Sequence, residues 1–455
     1  MVVESQSKYI VAVVGGAVSG AEAAATLADR GIEVVVLEQN MKPYGKIEDG
    51  LPRWHDKQRA QEYERINAKL ERPNVHFVPG VKLGRDVSFE DLAKHWGFSA
   101  VLLANGAWKD RPVGIDGLDD YVGKGLVYQN PLVYWFNHYE EKGYDGPRYT
   151  IEDDCMVLGG GLASYDVVKI VMLELVGRAL RARGHNHSML HLEHKGIAAV
   201  LKEHGLTLED LGVKGCTLYY RRRALDMPVA AYKENATPEE RKKTEEVRER
   251  LLQNAMTKFL FRFEPLHLPT GFLLENGKLV GLRFIRTEIK DGKVLKLPGT
   301  EVEKRASMII SSIGSIPEPI PGVPQKGEFY IFAEDGAAKL SGYDNVFGVG
   351  NVVTGKGNIA VSRKHSATIA GLVARDYLKV APEGAAVLPE TLFGKTESKV
   401  HGQAGSVAEA IAQLPQMTEP LRERIHGRIR ELQQKVGFDG DYRAWMRRMM
   451  PTDAV

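Results

Sequence analysis

Residues 9–20 read YIVAVVGGAVSG, and the chain continues as AEAAATLADRG (21–31) and IEVVVLEQN (32–40). An apolar, β-branched run that stops at glycines predicts a buried strand and a tight turn. The alanine-rich stretch closed by Gly31 predicts a helix, and IEVVVL a second strand. Strand, glycine loop, helix and strand, with Gly15, Ala17 and Gly20 in the three loop positions, form a dinucleotide-binding unit. The helix N-terminus faces a pyrophosphate, and Glu38, ending the second strand, accepts from a ribose. Ala17 adds a methyl group where glycine is usual, which is tolerable only if its φ is negative.

A second loop, VLGGGLAS (157–164), opens the stretch CMVLGGGLASYDVVKIVMLEL, with Gly159, Gly161 and Ser164 in the same three positions. Its partner strand is expected roughly 20 residues on. The best candidate, GCTLYYRRRA, lies at 215–224, so an insertion over about 175–214 separates them. No acid ends that strand. Arg221, Arg222 and Arg223 stand there, where guanidinium groups would meet a 2′-phosphate. A solvated charge run is the competing reading.

Composition narrows the classes. The 455 residues, 43% hydrophobic and 26% charged, suffice for two or three domains, and 47 glycines supply many tight turns. A net charge of +2 argues against a global nucleic-acid footprint. Cys155 and Cys216 form no C-x-x-C pair, which leaves a redox dithiol or an iron–sulfur cluster unsupported and fits a reducing cytoplasm. The first apolar run contains Glu4 and leads straight into a glycine loop, so it reads as a strand rather than a leader. No window reaches the ~20 apolar residues of a membrane span.

Two dinucleotide loops in this order, with the segments that follow, resemble the adrenodoxin reductase and ferredoxin–NADP reductase group and the related small subunit of glutamate synthase. NVHFVPGVKLGRDVSFEDLAKHWGFSAVLLANGA (74–107) resembles that family's connection between its nucleotide domains, with Ala104, Asn105 and Gly106 at the returning turn. GGGLASYDVVK resembles the family's G-x-G-N-x-A-x-D-x-A-R, Asp166 being retained and Lys169 replacing the arginine. NVFGVGNVVTGKGNIAVSRKHSATIAG (345–371) resembles the flavin-closing segment, with Gly350-Asn351 where many relatives have Gly-Asp.

The resemblance implies an α/β fold of two Rossmann-like domains, a discontinuous FAD domain (1–107 and 335–385) and an inserted NAD(P)H domain (108–334); the change of composition beyond residue 385 adds a helical C-terminal extension (386–455). It implies FAD contacts at Gly15, Ala17, Gly20, Glu38, Gly45, Lys46 and Val81, at the 104–106 turn, and at Gly350, Asn351, Gly357, Asn358 and Ile359. For NADPH, with NADH as the alternative, it implies Gly159, Gly161, Leu162, Ser164, Asp166, Arg221, Arg222 and Gly314. The loop KPYGKIEDGLPRWHDKQ (42–58) would cover the flavin. Relatives with a histidine near the nicotinamide carry it where Arg53-Trp54 stand here, so His55, one place late, is the weak catalytic candidate. The implied function is a cytoplasmic oxidoreductase passing electrons from NADPH through FAD to a ferredoxin-type iron–sulfur protein. The alternatives are the flavin subunit of a larger redox complex and a non-catalytic nucleotide-binding sensor.

Other segments fall outside the resemblance. His185, His187, His191 and His194 lie in the insertion, and the last three would share a helix face, as metal ligands or surface decoration; no metal is expected. Residues 236–259 predict a capped, solvated helix, and 261–292 a β-meander. LPETLFGKTESKVHGQAG (388–405) reads as a linker. The tail beyond it predicts two or three amphipathic helices whose Tyr442, Arg443, Trp445, Arg447 and Arg448 would dock an acidic ferredoxin or, in the plainer reading, pack on the chain itself or form a homodimer contact.

Overall fold

The computed structural model describes residues 7–233, 235–333, 336–355, 357–380 and 417–450. The predicted linker and the first part of the predicted tail helices lie outside them. The chain forms two compact units: residues 1–48, 56–109 and 316–455 in the first, 49–55 and 110–315 in the second.

The first unit is built on a five-stranded parallel sheet, in the order Val346–Gly348, Ala100–Leu103, Ile10–Val14, Glu33–Leu37, Val75–Val78. Its strands are near-continuous apolar runs because helices cover both faces. On one face, helix Val18–Ala28 places Ala21, Ala24 and Leu27 over Val11, Val13 and Val34, and helix Ile359–Leu372 adds Ile369 and Ala370. The alanines let helix and sheet approach closely.

The second unit repeats the plan. Its parallel sheet runs Leu126–Tyr128, Ile309–Ser312, Cys155–Gly159, Cys216–Tyr220, Arg262–Pro265. Between the third and fourth of these strands lie helix Leu162–Ala182 and the short helices Met189–Lys195 and Ile197–Glu203, which constitute the insertion. Helix Pro238–Phe259 starts as its sequence predicts. Thr237 Oγ1 accepts from the Glu240 N–H, and Glu240 answers the Thr237 N–H.

Four expectations change. The second unit ends at Ser315 rather than near 334, because Ile320, Val323 and Tyr330 pack into the core of the first. Residues 261–292 are not one meander: Arg262–Pro265 joins the parallel sheet, and Leu266, at φ 58°, turns the chain before the antiparallel hairpin His267–Glu275 and Lys278–Lys290. The helical tail, expected as a domain of its own, is part of the first unit. Helices Glu419–Lys435 and Tyr442–Met449 belong to the first unit, where Ile425, Ile429, Tyr442 and Trp445 are buried. Lastly, His187 precedes its helix, which Ser188 caps, so the three histidines do not share a helix face. His185, His187 and His191 group instead with His204, whose Nε2 lies 2.8 Å from that of His187. Among the described residues, no helix is long and apolar enough to cross a membrane.

Candidate dinucleotide sites

The first loop has the backbone that a diphosphate requires. Gly15 sits at φ +100°, and a Cβ there would lie 2.7 Å from the Ala104 carbonyl oxygen. A Cβ on Gly20 would lie 1.7 Å from the Gly15 carbonyl oxygen, so only glycine lets the helix start this close to the strand. Ala17 is the N-cap of helix Val18–Ala28 at φ −73° and ψ −161°, an ordinary extended conformation open to any residue. No side chain caps this helix, which leaves its first N–H groups for an anion. Glu38 is buried and organises the loop: its Oε2 accepts from the Gly16 N–H at 2.7 Å and its Oε1 from the Asn40 N–H at 2.9 Å. Its main-chain carbonyl accepts from the Val81 N–H at 2.8 Å, which brings Val81 to the same strand end. Gly45, at φ +49°, lies against Ala17, and Lys46 lies 5.8 Å from the Trp108 ring centre.

Asn105 and Asn351, past the carboxyl ends of the neighbouring strands, and Ser366, on helix Ile359–Leu372, each carry a buried oxygen with no hydrogen-bond partner among the described residues. An unpaired buried polar atom is costly. Three such oxygens in one unit, two of them within three residues of a strand end, fit a polar group such as a ribityl chain and its phosphates. Asn105 is fixed through its Nδ2, which donates to the Tyr330 hydroxyl at 3.1 Å. Gly350 adopts φ +70°, and any Cβ would lie 1.9 Å from Ser19 Oγ. Its N–H donates to Nδ1 of His365 at 3.0 Å, and burial pushes that imidazole below the usual range, so it stays a neutral acceptor. Gly357 and Ile359 flank Asn358, which caps helix Ile359–Leu372 by accepting from the N–H groups of Ala360 and Val361. His365 and Tyr330 carry no motif of their own, and sequence reading missed both.

The second loop is also closely packed. Gly161 is the N-cap of the 21-residue helix Leu162–Ala182, again without a side-chain cap, and Leu162 is exposed. Ser164 is fully buried and donates from Oγ to the Gly161 carbonyl at 2.6 Å. A Cβ on Gly159 would lie 2.6 Å from Ser164 Cβ, and one on Gly160 would lie 2.1 Å from the Tyr220 ring. The three arginines divide. Arg223 is held by both carboxylate oxygens of Asp226 at 2.9 Å. Arg222 donates to the Gly292 carbonyl at 3.0 Å, and Arg221 is exposed. Gly314, at φ +105°, accepts from the Arg111 N–H at 3.0 Å.

The 49–55 stretch packs in this same unit. His55 Nε2 lies 3.5 Å from Asp166 Oδ1, joining the weakest candidate of the sequence to a retained acid of the loop helix. Lys169, in the family arginine's place, pairs with Glu193 at 2.6 Å and sits 4.3 Å over the Trp54 ring. Arg53 pairs with Glu140. Cys155 and Cys216 are register partners on adjacent strands, and both are free and buried. Burial pushes the Cys155 thiol up to about 12 and raises that of Cys216, so neither is a nucleophile.

No family model matches the chain. Among curated proteins it is similar to the mitochondrial NADPH:adrenodoxin oxidoreductase of Arabidopsis thaliana, 24% identical over 413 residues, covering 84% of this chain and 78% of that protein. The glutamate synthase [NADPH] small chain of Halomonas elongata is 25% identical over 386 residues, covering 81% and 68%. The NADPH-Fe(3+) oxidoreductase subunit beta of Geobacter sulfurreducens is 24% identical over 322 residues, covering 69% of this chain and 38% of that subunit. Among solved structures, Mycobacterium tuberculosis FprA in complex with NADPH superposes with a TM-score of 0.65 at 19% identity, covering 94% of this chain and 91% of FprA. The chain is a homologue of NADPH:adrenodoxin oxidoreductase and of the glutamate synthase small chain, and it has the fold of oxidoreductases with two dinucleotide-binding domains.

Proposed function

We propose that this chain is an FAD-dependent oxidoreductase that takes a hydride from NADPH and delivers electrons to a ferredoxin-type iron–sulfur protein. The observation that carries the reading is the difference between the two loops. A buried carboxylate, Glu38, closes the first, whereas Arg221 and Arg222 follow the second. A carboxylate accepts from ribose hydroxyls and repels a 2′-phosphate, and guanidinium groups do the reverse. FAD therefore belongs to the first loop and NADPH to the second.

When bound, the nicotinamide and flavin supply hydride transfer and the exchange of electron pairs for single electrons. The chain supplies binding and orientation. The uncapped N-terminus of helix Val18–Ala28 would hold the FAD diphosphate, Gly15 and Gly16 would keep the loop clear of side chains while their N–H groups stay on Leu37 and Glu38, and Asn105 and Asn351 would satisfy their buried oxygens on the flavin's polar chain. His365 fixes the Gly350 turn, and the start of helix Ile359–Leu372 presents Gly357, Asn358 and Ile359 to the flavin. In the second unit, Gly159, Gly161 and Ser164 shape the phosphate turn, while Asp166 orients His55. The two buried thiols accord with a reducing cytoplasm.

The visible spectrum of the purified protein tests this reading. Flavin absorption that NADPH bleaches anaerobically, and that oxidised ferredoxin restores, is expected. A colourless protein, or a flavin that NADPH leaves oxidised, overturns it. The similarity to the glutamate synthase small chain across 81% of this chain favours a second reading, the flavin subunit of a larger redox complex. Native co-purification with a stoichiometric second polypeptide would mark that case.

A further inference from the structure

A second cluster of ionisable groups lies in the first unit, where the dinucleotide chemistry does not use it. Glu33 is the first residue of strand Glu33–Leu37 and is buried. The strand ends that carry Glu38, Asn105 and Asn351 are the opposite ones. Val35 is the register partner of His76, so Glu33 and His76 project from one face of the sheet. Helix Glu419–Lys435 covers that face, and Arg422 and His426, one turn apart, point back to it.

The carboxylate divides its oxygens. Oε2 pairs with Arg422, which also donates to the Ser7 carbonyl. Oε1 receives two imidazoles, Nε2 of His76 at 2.8 Å and Nε2 of His426 at 2.8 Å. These three ligand atoms lie within 4.8 Å of one another. Two imidazole nitrogens and a carboxylate oxygen on one point are the donor set of a three-ligand zinc site. At zinc–ligand distances of about 2.0–2.2 Å, tetrahedral ligand atoms stand roughly 3.3 Å apart, so the observed contacts need to open by about 0.5 Å. The partly exposed imidazoles, with side-chain exposures of 32% and 23%, leave a route for the ion and a water as fourth ligand.

We propose that Glu33, His76 and His426 bind one divalent transition-metal ion of the zinc class and so staple helix Glu419–Lys435 to the sheet. Two imidazoles disfavour calcium and magnesium, and the absence of a thiolate disfavours copper(I). Arg422 orients the bound carboxylate through its second oxygen, as outer-sphere partners do. The histidine group predicted from sequence is a weaker candidate, for His187 and His204 bring two nitrogens together without a third donor in range among the described residues.

The test uses untagged, flavin-loaded full-length protein, stripped with a chelator, dialysed, and titrated with zinc and with cobalt(II). One equivalent per chain is expected, with the visible bands of four-coordinate cobalt and a rise in Tm on adding zinc. His76→Gln and His426→Gln are each expected to weaken binding on the order of 100-fold or more, beyond the loss seen for outer-sphere partners. His187→Gln should change nothing. Zinc no higher than background in the wild type, or zinc that both ligand variants leave in place, overturns the site and leaves a hydrogen-bonded cluster only. If a variant fails to fold, the wild-type cobalt spectrum decides alone: no four-coordinate bands, no site.

Discussion

Substituting the first loop tests the assignment of FAD most sharply, because two neighbouring positions predict opposite outcomes. In Gly20→Ala the new methyl carbon would stand 1.7 Å from the Gly15 carbonyl oxygen and 2.8 Å from its carbon. Ordinary contact requires about 3.5 Å, so strand end and helix must separate by roughly 1.8 Å. That displacement removes the loop N–H groups from a bound phosphate. Each charge-assisted hydrogen bond is worth about 1.5–3 kcal/mol, so losing two lowers FAD affinity by roughly 10²- to 10⁴-fold.

Ala17→Gly should be nearly silent. Its φ of −73° asks nothing of glycine. The entropy cost of glycine, about 0.5–1 kcal/mol, is offset by its better performance at an N-cap, leaving a change under roughly fivefold. FAD content is read by releasing the flavin with heat, and affinity by titrating apoprotein and following flavin fluorescence; circular dichroism checks the fold. Wild-type FAD content in Gly20→Ala would refute the reasoning, as would equal flavin loss in both variants.

Four further outcomes are expected. Arg222→Glu should lower kcat/KM for NADPH about tenfold or more while sparing NADH, whereas Arg223→Ala, already engaged by Asp226, should leave the preference intact. The double variant Cys155→Ser, Cys216→Ser should keep full activity, and a thiol reagent should titrate neither cysteine before unfolding. Burial opposes the charge of His138, but its hydrogen bonds to Asp49 and Glu141 outweigh that and raise its pKa. The stability it contributes is therefore full below its ordinary value near 6.5 and lost as pH rises through the raised folded value, a slope in urea unfolding that His138→Gln should flatten. Trp445→Ala, which empties a buried site and removes the indole hydrogen bond to the Met41 carbonyl at 2.8 Å, should cost about 3–5 kcal/mol in urea unfolding and slow ferredoxin and dye reduction alike. Loss of ferredoxin reduction alone would restore the docking role of the tail.

What the sequence disclosed was local. The glycine loops and the Thr237 cap each rest on residues a few positions apart, and the acid after one loop and the arginines after the other each end a strand that its own apolar run marks. The hidden parts join residues distant in the chain. Tyr330 steadies Asn105, Glu33 gathers His76 and His426, and Gln433 donates to the Phe77 carbonyl at 2.8 Å on the edge strand of the first sheet. No periodicity records such pairs. The basic, aromatic end of the tail left two readings open for the same reason: Tyr442 and Trp445 look like a docking surface until the sheet edge that receives them is known, and they pack on the chain itself, as the plainer reading has it. An edge strand needs a cover, and this chain provides one from its last described helices.

The two loops also show how a glycine position is relieved of its glycine. In the first, the methyl of Ala17 faces Gly45, where a Cβ would lie only 2.9 Å away, so the space a loop glycine would have saved is provided by the segment opposite. In the second, Ser164 keeps the close approach of helix and strand because Gly159 has no side chain to meet it, and its hydroxyl closes the turn on the Gly161 carbonyl. In both, the constraint belongs to a pair of positions rather than to one. Ala17 is tolerated only while residue 45 is glycine, and Gly45→Ala should damage flavin binding more than any small substitution at residue 17, since it adds both a clash and a side chain at φ +49°.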